Sequence, residues 1–183
     1  MLYTVIDIPG YNHTSQHSWH PELKSLLEKQ GHEVKPLDLP GGKYPVFMEW
    51  YPIIEQSVQE AQYPVLLMGH SLGTRAVLLF LEKTLYRVNR VVLIAPFDNH
   101  TSNGSFRDGN YANFFSQEVD ISRIKNHIQN NVIIIGSEDD MNIPYIQAQN
   151  IAADLGGELI SIPNSGHFLD AKWANLLSEI VVK

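Results

Sequence analysis

The 183-residue chain predicts an α/β fold: a compact, mainly parallel sheet of six strands with helices on both faces. Three observations carry that expectation. Strand-like and helix-like runs alternate along the whole chain. The strand-like runs are apolar at nearly every residue, as strands buried on both faces must be. Gly or Pro stands at most of the changeover points, where a chain reverses.

Taken in order, Tyr3 to Ile8 reads as the first strand, ended by Pro9-Gly10, with Asp7 its one misfit. A loop rich in Ser, His and Asn follows, Tyr11 to Ser18. Trp19-His20-Pro21 then opens a helix: Pro21 suits a first helical position, where no N–H is needed, and Leu23, Leu26 and Leu27 form a one-sided stripe that Gly31 stops. Glu33 to Leu37 is a short strand, and Pro40-Gly41-Gly42 turns the chain into a helical run over Pro45 to Ala61, which Pro52 is expected to kink or restart. Val65 to Met68 is the third strand, and the stripe Ala76 to Leu81 marks the helix after it. Arg90 to Ala95 is the fourth strand, and the stretch from there to Asn113, rich in Gly, Asn, Ser and Asp, is expected to be loop. Ser116 to His127 holds a short helix, Val132 to Ile135 a strand, Pro144 to Leu155 a helix, Glu158 to Ile162 the last strand and Phe168 to Val181 the closing helix. No repeat, low-complexity tract or linker interrupts this order, so residues 1–183 read as one domain.

Composition removes several classes of function. With no Cys there is no disulfide framework, no zinc–thiolate site and no thiol nucleophile. A formal net charge of −7 without a Lys/Arg cluster argues against nucleic acid and anionic membrane as partners. The first residues lack a basic segment, Asp7 and Pro9 break the apolar stretch, and no apolar run approaches the ~18 residues of a membrane span, so the expected location is the cytoplasm. His13, His17 and His20 raise the question of a metal, but their loop setting without a nearby carboxylate reads as polar surface. His32, His100 and His127 also read as surface. No chelating set, phosphate-cradling loop or dinucleotide fingerprint is present, so neither cofactor nor metal is expected.

The chemistry concentrates at Gly69-His70-Ser71-Leu72-Gly73, which joins the third strand to its helix. The bare pattern is weak, but a strand before it and a helix after it read as a turn that holds Ser71 out at a strand end. Gly69 and Gly73 remove Cβ atoms that would collide across so tight a turn. A Ser hydroxyl needs a base and the base an orienting acid. His167, in Asn164-Ser165-Gly166-His167-Phe168 just past the last strand, is the base candidate. Glu138-Asp139-Asp140 crowds three carboxylates into one turn after the fifth strand, so that one should face the imidazole and the others water. Asp140 is the choice, with Asp139 an alternative and Asp98, past the fourth strand, another. Leu72 N–H and Tyr11 N–H are the candidate oxyanion donors. Trp19, His70, Phe97 and Met141 are substrate-pocket candidates, His70 as a structural or pocket-shaping residue. Phe106, Tyr111, Phe114 and Phe115 join Phe97 as an apolar acyl pocket or, equally, as ordinary core.

PGYN after the first strand, SWHPEL at the helix start, EWYP, GHSLG, GSEDDMNIP and SGHF together cover nearly the whole chain. In these the chain resembles the small serine hydrolases of the α/β-hydrolase superfamily, the RBBP9/YdeN-like group. The resemblance implies a compact α/β-hydrolase fold without a large lid, and a triad mapping onto Ser71, Asp140 and His167. Many relatives carry His before the Gly that follows the first strand, where this chain has Pro9. The expected function is hydrolysis of small carboxylic esters, thioesters or amides through an acyl-enzyme, on a small-molecule acyl substrate. A binding or regulatory protein with little turnover is the other reading, because a fold does not fix a function.

Overall fold

The computed structural model describes residues 1–98, 109–116 and 118–183. Six strands, β1 (Thr4–Ile8), β2 (Glu33–Pro36), β3 (Val65–His70), β4 (Arg90–Ile94), β5 (Val132–Gly136) and β6 (Glu158–Ser161), form one sheet in the order β2-β1-β3-β4-β5-β6. Every pairing is parallel. The helices are α1 (His20–Lys29), α2 (Phe47–Gln59), α3 (Leu72–Lys83), α4 (Ile121–Asn126), α5 (Ile146–Leu155) and α6 (Trp173–Ile180).

Alternation along the strands builds two cores from one sheet. Ile6, Leu67, Leu93 and Ile134 point to one side and pack with α2, α3 and α5. Val5, Leu66, Met68, Val92 and Ile135 point to the other and pack with α1 and α6. Both sides of the central strands are therefore dry, which is why these runs carry no polar alternation. This is the α/β-hydrolase architecture that the sequence predicts.

Where boundaries differ, local chemistry explains it. The short helix expected within Ser116 to His127 is α4, and a 3₁₀ turn at Ala112–Phe115 comes before it, at the end of the stretch expected to be loop. Asp120 caps α4 by accepting from the Ser122 and Arg123 N–H groups, and so resets the helix start. α6 begins at Trp173, later than the expected Phe168, because Phe168 has φ +55°. Pro52 lies inside an unbroken α2 and does not restart it. The expected loop past Ala95, with His100 and Phe106, falls mostly outside the described residues.

Two histidines read as surface are inside. His20 is 1% exposed, and its Nδ1 lies 2.6 Å from Oδ2 of the equally buried Asp7. That pairing resolves Asp7 as the misfit of β1: the first residue of α1 turns inward and supplies the partner that a carboxylate buried in a strand needs. His32 is also buried; its Nδ1 accepts from the Tyr3 N–H at 3.1 Å, and its ring stacks on Tyr3. Among the described residues no helix is long and apolar enough to cross a membrane.

The junction of β3 and α3 is the tightest place in the fold. A Cβ at Gly69 would lie 2.6 Å from the Gly73 carbonyl oxygen, and one at Gly73 would lie 2.1 Å from the Ile8 oxygen and 2.7 Å from the Pro9 oxygen. The partners of that second Cβ are backbone atoms ending β1, so relief requires moving a central strand. Gly73→Ala is therefore expected to lose about 2 kcal/mol or more, as overpacking of a dense core does, read as a lower urea midpoint. Acid should also destabilise the fold. Burial pushes His70 well below the ordinary imidazole value, and His32 is pushed down chiefly by burial too. The unfolded chain then binds more protons below pH ~6.5, so stability is complete above that pH and drops as pH falls through it, by up to about 1.4 kcal/mol per pH unit for each such group. Urea midpoints at pH 7.5 and 5.5 check this; equal or higher stability at 5.5 contradicts it.

Candidate active site

Because β3 ends at His70 and α3 starts at Leu72, Ser71 stands alone between them, with φ +51° and ψ −119°. A side chain adopts that conformation only where its surroundings over-determine it. Here Ser71 N–H donates to the Ile94 carbonyl at 2.9 Å, and the Ser71 carbonyl accepts from Thr74 N–H at 2.9 Å and from the Thr74 hydroxyl at 2.6 Å. The backbone is thus tied to β4 on one side and to its own helix on the other. Leu72, as the first residue of α3, has an N–H that no carbonyl within the helix can satisfy.

β1 and β3 are neighbours, so the loop after β1 comes against the Ser turn: a Cβ on Gly10 would sit 3.2 Å from Ser71 Cβ. Tyr11 follows, with its hydroxyl donating to the Lys43 carbonyl at 3.0 Å and accepting from Asn110 at 2.9 Å. This is the approach expected for the loop that carries the second candidate oxyanion donor.

Three residues far apart in sequence meet at this edge. His167 Nε2 is 2.8 Å from Ser71 Oγ, and His167 Nδ1 is 2.7 Å from Asp140 Oδ2. The other Asp140 oxygen accepts from the Asn142 and Ile143 N–H groups at 2.8 and 2.9 Å. One oxygen is fixed by the backbone at the approach to α5, and the other is thereby aimed at the imidazole.

The competing carboxylates have other duties. Asp139 Oδ1 accepts from the Ser137 hydroxyl, from Ser165 N–H at 3.1 Å and from Gly166 N–H at 3.0 Å. The Ser137 hydroxyl, followed by the Gly166 N–H, holds this carboxyl below the usual carboxylate range. Asp139 therefore fastens the backbone of the loop that carries His167, while Asp140 meets its ring. Asp98 pairs with Arg75, whose Nε also donates to the Phe114 carbonyl at 2.8 Å and whose guanidinium lies 5.0 Å from the Phe115 ring centre. Its carboxylate serves the packing of α3 against the 3₁₀ turn.

The four pocket candidates do not form one wall. Trp19, His70 and Phe97 are buried at 0%, 2% and 1% exposure, whereas Met141 is 86% exposed. Phe97 stacks against Phe115, and Phe114 packs between Phe47 and Trp50. Such aromatic area is drawn into the core here, where burying it removes a large apolar surface from water. Trp19 Nε1–H donates to the Phe168 carbonyl at 2.8 Å, and His70 Nε2 bonds the His167 carbonyl at 2.9 Å. Phe106 lies outside the described residues.

His13 was expected at the surface, yet it is partly buried and belongs to this neighbourhood. Its imidazole is pushed below the ordinary value first by burial, then by His17 and His20, with a smaller effect of His167. The available signal was its place in the loop that leaves β1 at the edge carrying Ser71. Among the described residues no three acidic or imidazole side chains cluster as ligands for a metal.

YdeN of Bacillus subtilis is 26% identical over 172 residues, covering 93% of this chain and 88% of its own. The serine hydrolase RBBP9 of Rattus norvegicus is 22% identical over 169 residues, covering 92% and 87%. The crystal structure of the Bacillus subtilis ydeN gene product superposes with a TM-score of 0.86 at 22% identity, over 98% of this chain and 96% of that one. The model of the family described as Serine hydrolase matches residues 5–176, and the chain accordingly belongs to the serine hydrolase family, an enzyme of the small RBBP9/YdeN-like group.

Proposed function

We propose that this hydrolase cleaves small carboxylic esters through an acyl-enzyme, with Ser71 as nucleophile, His167 as general base and Asp140 as the acid that orients it. The observation that carries this reading is the unbroken hydrogen-bonded line from Ser71 Oγ through both nitrogens of His167 to Asp140, at 2.8 and 2.7 Å. In the reaction His167 Nε2 takes the Ser71 proton as Oγ attacks the acyl carbon. Asp140 holds the proton on Nδ1, which leaves Nε2 free to accept, and then stabilises the imidazolium. The oxyanion is met by Leu72 N–H and Tyr11 N–H; His167 returns its proton to the leaving group, and a water activated by the same imidazole releases the acid. Thioesters and small amides enter by the same route. The partner is a small-molecule acyl substrate, neither nucleic acid nor membrane, met in the cytoplasm and without a cofactor.

Two measurements test the reading. A fluorophosphonate probe should label the wild type and fail to label Ser71→Ala, with strongly slowed labelling of His167→Ala; equal labelling of wild type and Ser71→Ala refutes the nucleophile. A wild type that is labelled but turns over no member of an ester, thioester and amide panel speaks instead for a binding protein on this scaffold. Asp140→Asn is expected to lower kcat roughly 10⁴-fold, because the imidazole is then held in the wrong tautomer. A small loss there beside a large one in Asp98→Asn would transfer the acid's role to Asp98.

A further inference from the structure

The loop that carries His167 has a costly backbone: Asn164 and Phe168 stand at φ +54° and +55°, and Gly166 at +51°. Phe168, an aromatic residue next to the imidazole, is the least suited of the three to that region. Such a backbone persists only when neighbouring groups hold it. From the solvent side Asp139 takes the N–H groups of Ser165 and Gly166. From the core two ring donors take consecutive carbonyls, His70 Nε2 that of His167 at 2.9 Å and Trp19 Nε1–H that of Phe168 at 2.8 Å.

A carbonyl oxygen only accepts, so the proton of His70 resides on Nε2. His70 is also the residue directly before Ser71. Its peptide bond fixes it to the nucleophile, and its ring fixes it to the main chain of the imidazole that Ser71 faces. The two rings are 5.1 Å apart, and burial keeps that of His70 uncharged, so no fixed cation opposes the positive charge that His167 acquires. The clamp is itself braced: the Trp19 ring meets His70 edge-on at 5.7 Å and lies 4.0 Å from the ring of His20, which is bonded to Asp7.

We propose that His70 and Trp19 are positioning residues, whose two N–H donors set the reach of His167 to Ser71 by holding the carbonyls of His167 and Phe168. The proposal rests on His167 being the base and adds what places it. A residue that merely filled the core at position 70 would need volume and no donor, and this is the difference to test.

His70→Leu keeps bulk and removes the donor, His70→Gln puts an amide N–H in the place of Nε2, and Trp19→Phe keeps an aromatic ring without its N–H. The first readout, independent of turnover, is the low-field proton resonance of the His167–Asp140 hydrogen bond, identified by its loss in Asp140→Asn. The second is hydrolysis of p-nitrophenyl acetate. His70→Leu and Trp19→Phe should shift or broaden the resonance and lower kcat about 10- to 100-fold with KM within about twofold, as sub-ångström misplacement of a reacting group does, and His70→Gln should recover most of both. A folded His70→Leu with wild-type resonance and kcat overturns the proposal; if that variant does not fold, the same result in Trp19→Phe overturns it. A wild type that hydrolyses no ester counts against the acyl-enzyme reading, and the resonance comparison still decides this one.

Discussion

Nothing larger than a hydrogen atom fits at Gly73, and the site depends on that constraint. The first turn of α3 rests directly on the carbonyls of Ile8 and Pro9 that end β1, closer than any side chain allows. This contact carries the loop after β1 to the start of α3, so that Gly10 packs against Ser71. It also leaves Ser71 no relaxed conformation, since the chain must pass from strand to helix in one residue. The strain at φ +51° is held by the bonds to β4 and to Thr74, and its product is a hydroxyl that projects clear of its own helix.

The imidazole that meets this hydroxyl is held by a different strategy. Ser71 is rigid through backbone crowding, whereas His167 sits on a loop without a helix or strand of its own and is tied by side chains from three other parts of the chain. Asp139 and Ser137 come from the end of β5, His70 from the end of β3, and Trp19 from the entrance to α1. Because all three leave the same edge of a parallel sheet, a loop following β6 can be reached by each of them. Parallel topology thus brings the side chains that tie this loop, as well as Ser71, Asp140 and His167, to one edge of the sheet.

Much of this was legible in the residues. Continuous apolar runs announced a buried parallel sheet, and the paired glycines around Ser71 announced a turn too tight for side chains. The crowding of Glu138, Asp139 and Asp140 implied a division of roles, because three charges cannot all be buried together. Which carboxylate turned inward was decided by the turn into α5, where two N–H groups capture one oxygen of Asp140 and leave the other for His167. The aromatic residues were harder to place. Phe97 and Trp19 looked like walls of a cleft because they lie near strand ends, but their side chains turn into the core. His20 was misread because its partner, Asp7, belongs to another element: Asp7 stood out as a misfit in its strand, but nothing at position 20 pointed back to it.

By itself the sequence determined what is local or periodic: the order of strands and helices, the strained Ser turn, the absence of thiol chemistry, and the residue types able to serve as base and acid. These follow from steric limits and from the two periods of burial, which act between residues close along the chain. Only the tertiary structure decided the pairings, with Asp140 on His167, Asp98 on Arg75, Asp7 on His20, and the carbonyls of His167 and Phe168 on His70 and Trp19. Hydrogen bonds and ion pairs of this kind depend on distances of about 3 Å between groups many residues apart, and folding of the whole sheet sets those distances.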